Sequence, residues 1–441
     1  MSVSWSVVSL LPLVLWGGLL VFPNMYNGDV DSFRDSVLDE DENDVVQNEN
    51  DEGSDVKKEN GKKTKKSDLK HIELYPMGSA DEQLPERTTS ELESLLTAGW
   101  RERHPADFNY PWDSNVQTTL LMLPYFRYGS APAVSMIKQR SAQRAGKRTP
   151  GKLIESVELQ RDENAFHFLK VKQREAIYVL SRDDLEARTP LTDLNQEPTG
   201  DHIVFINVNP SAPYHFLLNM HAGELLPQIL THEALASGLK FASQFGDNLR
   251  LMYNSAGAGS SVNHLHWQGI FLWQPFPVEH VPLEFKTLRF EGMSGGEARM
   301  ANLVKSEKWP ISALVFDLSE YDSAGENFAH DMNFVASLII RVVQSLIENN
   351  IPHNIMVRNG GSPRVYLFAR DFENSQSIDP SDLQVAGQEA CGHFIVPTEQ
   401  KFHSLTGEEA WTFLESRSSP LGDGILHEWW QMLLQHGGAE L

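Results

Sequence analysis

The stretch Asn263-His264-Leu265-His266-Trp267-Gln268-Gly269-Ile270-Phe271-Leu272-Trp273 carries the fold and the chemistry of this 441-residue chain. Polar and apolar residues alternate through its first half. On an extended strand successive side chains point to opposite faces, so His264, His266 and Gln268 share one face while Leu265, Trp267 and Phe271 take the other. Two imidazoles and an amide in a row are costly on a core-facing strand unless they bind or react with something. The plain alternative is a surface strand whose polar face meets water.

Upstream, Leu249-Arg250-Leu251-Met252-Tyr253-Asn254 reads as a second strand, followed by Ser255-Ala256-Gly257-Ala258-Gly259-Ser260-Ser261. Small residues let a backbone approach a ligand closely and aim N–H groups at it. Asn254, Gly257, Gly259, Ser260 and Ser261 are therefore candidate phosphate contacts. An ordinary hairpin loop is the competing reading. Imidazole is a good nucleophile toward phosphorus when one nitrogen is held as N–H and the other is bare. A covalent nucleotidyl-histidine would divide a transfer into two displacements.

His264-Leu265-His266-Trp267-Gln268 resembles the His-x-His-x-Gln signature of the transferase branch of the histidine-triad superfamily. The wider pattern resembles the GDP-hexose phosphorylases. It includes Tyr253 to Gly257, Ile206-Asn207-Val208-Asn209-Pro210 with Tyr214-His215, and Glu389-Ala390-Cys391-Gly392-His393-Phe394. The resemblance runs roughly from Asn109 to Trp429. It implies that His266 is the guanylylated nucleophile, His264 its supporting partner and Gln268 a contact to the α-phosphate. It implies GDP-glucose and inorganic phosphate as substrates, no cofactor, no metal and a cytoplasmic site of action. Other nucleotidyl transferases or hydrolases of the superfamily, GDP-L-galactose phosphorylase, and a non-catalytic guanine-nucleotide-binding or exchange protein are the alternatives. One departure stands out: superfamily members often place Gly-His where this chain has Tyr214-His215, which leaves the role of His215 open.

The implied fold class is α+β, histidine-triad or galactose-1-phosphate-uridylyltransferase-like, an antiparallel sheet with packed helices. The sequence order itself points to a tandem pseudo-repeat. Leu225 to Phe245 reads as a helix before the two strands above. Phe328 to Asn349 reads as another, followed by strands Asn354 to Val357 and Val365 to Phe368 around Asn359-Gly360-Gly361-Ser362-Pro363. The second unit has no His-x-His. Phe166 to Val171, Ala176 to Leu180, His202 to Val208 and Cys391 to Pro397 read as further strands, Thr89 to Leu96 as the start of a helix, and Glu408 to His436 as two closing helices. His215, His221 and His232 read as packing or surface residues.

Composition bounds the rest. A formal charge of −23 and a pI near 5.1 argue against nucleic-acid binding, which needs basic surface. The single cysteine, Cys391, excludes an internal disulfide and reads as packing rather than as a nucleophile. Residues 1–25 hold an apolar run that fits a signal peptide, a short anchor or an unused start; membrane contact follows only if it is retained. Residues 26–80 form a charged linker too poor in apolar residues to order itself, with about −11 between Asp29 and Asp55. The catalytic half is placed at 81–285 and the second half at 286–441. Between Met122 and Pro150 the basic residues Arg127, Lys138, Arg140, Arg144, Lys147 and Arg148 interrupt an acidic chain, and Arg144 and Arg148 are further phosphate candidates. A homodimer is compatible with the sequence.

Overall fold

The computed structural model describes residues 75–76, 91–103, 119–125, 134–140, 154–162, 164–171, 175–181, 188–190, 201–207, 210–211, 214–272, 275–289, 297–303, 308–318, 328–359, 364–372 and 382–436. The apolar leader, the charged linker apart from Tyr75 and Pro76, Arg144 and Arg148 lie outside the described residues. In chain order the strands are β1 Tyr75–Pro76, β2 Thr119–Tyr125, β3 Val134–Arg140, β4 Ala176–Leu180, β5 Arg188–Pro190, β6 His202–Ile206, β7 Phe216–Asn219, β8 Leu249–Asn254 and β9 His266–Phe271. They continue with β10 Lys286–Arg289, β11 Glu297–Leu303, β12 Ala313–Asp317, β13 His353–Arg358, β14 Arg364–Ala369 and β15 His393–Val396. The helices are α1 Glu91–Arg103, α2 His232–Ser243, α3 Phe328–Glu348, α4 Gly387–Ala390, α5 Glu399–Ser404, α6 Gly407–Glu415 and α7 Pro420–His436. Among the described residues no helix is long and apolar enough to cross a membrane.

Eleven of the strands form one sheet, in the order β10-β11-β12-β14-β13-β8-β9-β7-β6-β4-β5. Every pairing in it is antiparallel. The order reads as two similar arrays back to back, joined where β8 meets β13. Each array has the sequence strand, helix, strand, turn, strand: β7-α2-β8-β9 in the first half and β12-α3-β13-β14 in the second. The tandem expected from the helix-strand-turn-strand order is thus present, fused into one continuous sheet. A second sheet, β1-β2-β3-β15, has β15 parallel to β3.

Strand alternation sorts the core into two faces. Leu251, Tyr253, Trp267, Ile355, Val357, Val365 and Leu367 pack with α2, α3 and α7 in the larger cluster. The intervening Met252, Ile270, Met356, Tyr366 and Phe368 face the other way, against Trp309, Phe394 and Trp411. Both halves are therefore cored by the period-two pattern of the central strands. A buried polar chain crosses their junction. Asn354 Nδ2 donates to Asn254 Oδ1 at 2.8 Å, and Arg370 Nη1 donates to Asn354 Oδ1 at 2.7 Å.

Three readings are corrected. The helix expected from Leu225 begins only at His232, where Thr231 caps it by accepting from the Ala234 N–H at 3.2 Å. Ahead of it Leu225 takes a left-handed conformation (φ 52°), which ends the short 3₁₀ turn Ala222–Glu224. Phe166 to Val171 is not a strand: Phe168–Lys170 forms a 3₁₀ turn, and the alternating Phe166 and Phe168 contact each other edge to face at 5.9 Å. Cys391 caps α4 rather than opening a strand, which starts at His393. It is fully buried, and burial pushes its thiol pKa well up, which fits packing.

Candidate active site

His266 opens β9 and is buried. Its Nδ1 has two oxygen neighbours, the His264 carbonyl at 2.7 Å and Gln228 Oε1 at 2.9 Å. Both are acceptors, so Nδ1 carries the ring hydrogen and Nε2 keeps the lone pair. The orientation of the Gln228 amide follows from its other contacts. Its Nε2 donates to the carbonyls of Asn254 (2.9 Å) and His266 (3.1 Å), while Oε1 accepts the His266 backbone N–H at 2.9 Å. Gln228 is itself fixed, because its N–H donates to Asn263 Oδ1 at 2.8 Å and its carbonyl accepts from Tyr253 Oη at 2.8 Å. Nothing among the described residues hydrogen-bonds His266 Nε2. Burial lowers the pKa of this ring to about 4, against a smaller opposing effect of the His264 carbonyl. It is neutral at pH 7.

His264 precedes the strand and supports His266 through its backbone carbonyl, not through its ring. Its own Nδ1 accepts the Phe168 backbone N–H at 3.1 Å, so its hydrogen sits on Nε2. That nitrogen is buried without a partner at hydrogen-bonding geometry, although the Ala222 carbonyl acts on it favourably. Burial first, and the neighbouring His266 second, lower its pKa to about 3. Phe168 lies against both rings, stacked on His264 at 5.6 Å and edge-on to His266 at 4.9 Å.

Gln268 lies on the same face as His266 and is half-buried. Its Oε1 is 3.1 Å from His215 Nε2. His215 Nδ1 accepts the Ser211 N–H at 3.0 Å, which leaves the hydrogen on Nε2; that nitrogen has two amide neighbours, Asn207 at 3.0 Å and Gln268, whose Oε1 can accept from it. The Gln268 amide is held by its oxygen, and its NH₂ has no partner among the described residues. Burial lowers the His215 pKa to about 4. The chain of contacts runs on through Ser211 Oγ, which donates to Gln388 Oε1 at 2.9 Å, and Gln388 Nε2, 3.3 Å from His393 Nδ1.

The Tyr214 departure has a structural account. Tyr214 adopts φ 59°, the left-handed region that glycine enters without strain. The side chain compensates: its ring meets Trp100 edge to face at 5.4 Å, and its hydroxyl accepts from Arg101 Nη2 at 2.6 Å. His215 is thereby turned toward Gln268.

The remaining candidates are placed differently. Asn254 is buried, and its Oδ1 accepts from Asn354 and from the Gly387 N–H at 2.9 Å. Gly257 (φ 79°) and Gly259 (φ 96°) need their positive φ. A Cβ on Gly259 would lie 2.5 Å from the Cβ of Ala386, and one on Gly257 would lie 3.0 Å from Pro352 Cγ. Both glycines thus have a packing reason against the second half. Ser260 Oγ donates to the Val262 carbonyl at 3.0 Å, and Ser261 is exposed. Among the described residues no three His, Cys, Asp or Glu side chains group as metal ligands. The reading of the sequence missed Gln228, which fell in the first turn of the helix expected from Leu225. It also gave His215 to packing and Phe168 to a strand. For Gln228 the one available signal was Thr231, a cap that moves the helix start past it.

A duplicated antiparallel sheet thus presents a tautomer-fixed imidazole beside an anchored amide, an arrangement suited to nucleophilic attack on phosphorus. The family profile described as GDPGP1-like, N-terminal domain, matches residues 91–270, and that of the GDPGP1-like C-terminal domain matches residues 286–432. The chain belongs to the GDPGP1-like family. It is 28% identical over 364 residues to GDP-L-galactose phosphorylase 2 of Arabidopsis thaliana, covering 78% of this chain and 77% of the relative. It is 30% identical over 302 residues to GDP-D-glucose phosphorylase 1 of Homo sapiens, covering 65% of this chain and 71% of the relative. A crystal structure of yeast Ap4A phosphorylase Apa2 in complex with Ap4A superposes with a TM-score of 0.45 at 16% identity, covering 74% of this chain and 98% of that one.

Proposed function

We propose that the chain phosphorolyses a GDP-hexose, GDP-glucose in the leading case, through a guanylyl-His266 intermediate. The observation that carries this reading is the His266 tautomer: Nδ1–H is engaged by the His264 carbonyl and Nε2 is left bare. The Nε2 lone pair attacks the α-phosphorus, and the bond from that phosphorus to the bridging oxygen breaks. Hexose 1-phosphate leaves with that oxygen. An oxygen of inorganic phosphate then attacks the same phosphorus, the N–P bond breaks, and GDP departs with His266 neutral again. The depressed pKa supports this role, because the attacking nitrogen needs no deprotonation at pH 7.

Gln268 is the proposed donor to a non-bridging α-phosphate oxygen, its amide oriented by His215. An amide donor gives the leaving group no proton, which suits a phosphate ester that departs as an anion. Asn254 is given the supporting part of holding the loop, while the exposed edge of that loop at Gly259, Ser260 and Ser261 is the proposed second donor set. Arg144 and Arg148 are proposed to meet phosphate oxygens; their replacement by Ala should raise the KM for both substrates. The cytoplasm is the proposed site of action.

The test is incubation with GDP-glucose or GDP-L-galactose labelled in the guanylyl group. A phosphoramidate adduct, acid-labile and base-stable, is expected on the wild type and absent from His266→Ala. Phosphate-dependent release of GDP distinguishes phosphorolysis from hydrolysis, and the relative kcat/KM of the two sugars names the hexose. Product formation by His266→Ala would overturn the nucleophile.

A further inference from the structure

The pseudo-twofold axis relating the halves assigns a counterpart to each site residue on β8 and β9. β8 opens at Leu249 and β13 at His353; β9 opens at His266 and β14 at Arg364. With these starts matched, the pair Leu251–Gly269 falls on the pair Ile355–Leu367, as the observed registers require. The axis passes through Met252 and Met356, which face each other across the junction. Arg364 then occupies the place of His266, Tyr366 that of Gln268, and Arg358 that of Asn254. Neutral imidazole and amide groups in one half are replaced by two guanidinium groups and a phenol in the other.

These groups are incompletely satisfied. Glu279 is held by Arg250 through both oxygens, at 2.6 and 2.9 Å. Arg358 Nε approaches the same carboxylate at 3.1 Å but is not aligned as a hydrogen bond. One carboxylate therefore serves two guanidinium groups. Arg364 lies with Cζ 4.9 Å from the Phe285 ring centroid, makes no ion pair among the described residues, and has a buried Nε without a partner. Asp317 sits opposite Arg364 in the β12–β14 ladder. Tyr366 is fully buried, and its hydroxyl has no partner at good hydrogen-bond geometry, although the Arg364 guanidinium lies close enough to act on it. Burial pushes its pKa to about 12, so the group remains a donor. Buried polar atoms without partners are uncommon in native proteins, and here they sit together on one face.

We propose that Arg358, Arg364 and Tyr366 form a second oxyanion site, which takes the dianionic phosphate of inorganic phosphate or of a sugar phosphate. Guanidinium forks match phosphate oxygens bidentately, and the phenol supplies a neutral donor. The site binds without reacting, because an arginine offers no lone pair at accessible pH.

The experiment uses the full chain in the His266→Ala background, where no turnover consumes ligand. Its melting temperature is followed against inorganic phosphate and, separately, glucose 1-phosphate. Both are expected to stabilise the parent. Arg364→Gln should weaken the apparent affinity of this effect about tenfold, in line with loss of one charge-assisted contact. Tyr366→Phe removes a single oxygen, keeps the fold, and should weaken it severalfold. Preference for one ligand identifies the source of the phosphate group. Phosphate stabilisation unchanged in both variants would overturn the site. Should Arg364→Gln fail to fold, Tyr366→Phe alone decides.

Discussion

Replacing Gln228 tests the geometry of the site without touching the reacting atoms. Gln228→Leu keeps the size of the side chain and removes its hydrogen bonds. The His266 N–H loses its acceptor, and the Asn254 and His266 carbonyls lose a donor. Buried groups left in this state cost about 1–3 kcal/mol each in the severe case. Carbonyls with a second interaction cost less, so about 2–4 kcal/mol of stability should go, read as a lower urea midpoint. His266 retains its bond to the His264 carbonyl, so the tautomer survives while the ring loosens. A misplacement of about 1 Å costs on the order of a hundredfold in rate, so kcat should drop about ten- to a hundredfold, with KM little changed. Gln228→Glu separates orientation from mere stability. An ionised carboxylate beside the imidazole favours the imidazolium, so the folded pKa of His266 rises above its value of about 4. The acid limb of kcat/KM should then move upward in Gln228→Glu and stay in place in Gln228→Leu. Wild-type kcat in the leucine variant, or an unmoved acid limb in the glutamate variant, would refute the role of Gln228.

Stability should fall steeply on the acid side of neutrality. His215, His264, His266, His353 and His393 all have folded pKa values lowered to between about 3 and 4 by burial. Below pH 6.5 the unfolded chain protonates these rings while the folded chain does not, so each removes about 1.4 kcal/mol per pH unit down to its folded pKa. Above 6.5 both states are neutral and this contribution is flat. Denaturant midpoints from pH 8 to 5 should therefore be level and then drop, with an uptake of several protons on unfolding. Gly259→Ala should destabilise by about 2 kcal/mol, since it joins a positive φ to a Cβ placed 2.5 Å from Ala386. Gly223→Ala, whose Cβ meets nothing within 4 Å, is the control and should be near neutral in the same thermal melt.

The strands and helices that were legible in the sequence are those whose period reports burial directly. β8 was bounded from its pattern as Leu249 to Asn254, and α3 followed from the apolar spacing Met332, Val335, Leu338, Ile339 and Val342. β13 and β14 followed because they flank a glycine turn. What was illegible depends on chain reversal or on backbone φ. Gln228 reaches His266 across 38 residues because Leu225 turns left-handed and Thr231 delays the helix. Phe166 and Phe168 alternate like a strand, but one ring covers two imidazoles instead of joining a ladder. His215 is turned to Gln268 by a tyrosine in a conformation that its own contacts sustain. No period in the sequence encodes any of these three.

The same architecture accounts for a proposed nucleophile in one half only. Attack on phosphorus needs an uncharged lone pair at a fixed position in a site that excludes water. At the start of β9 that need is met by a buried imidazole with one nitrogen committed to a carbonyl. At the start of β14 the same backbone position carries Arg364, whose guanidinium is a fork of donors suited to binding. The flanking strands preserve the separation. Gln268 presents an amide toward the reacting face, whereas Tyr366 presents a buried hydroxyl toward Arg358 and Arg364.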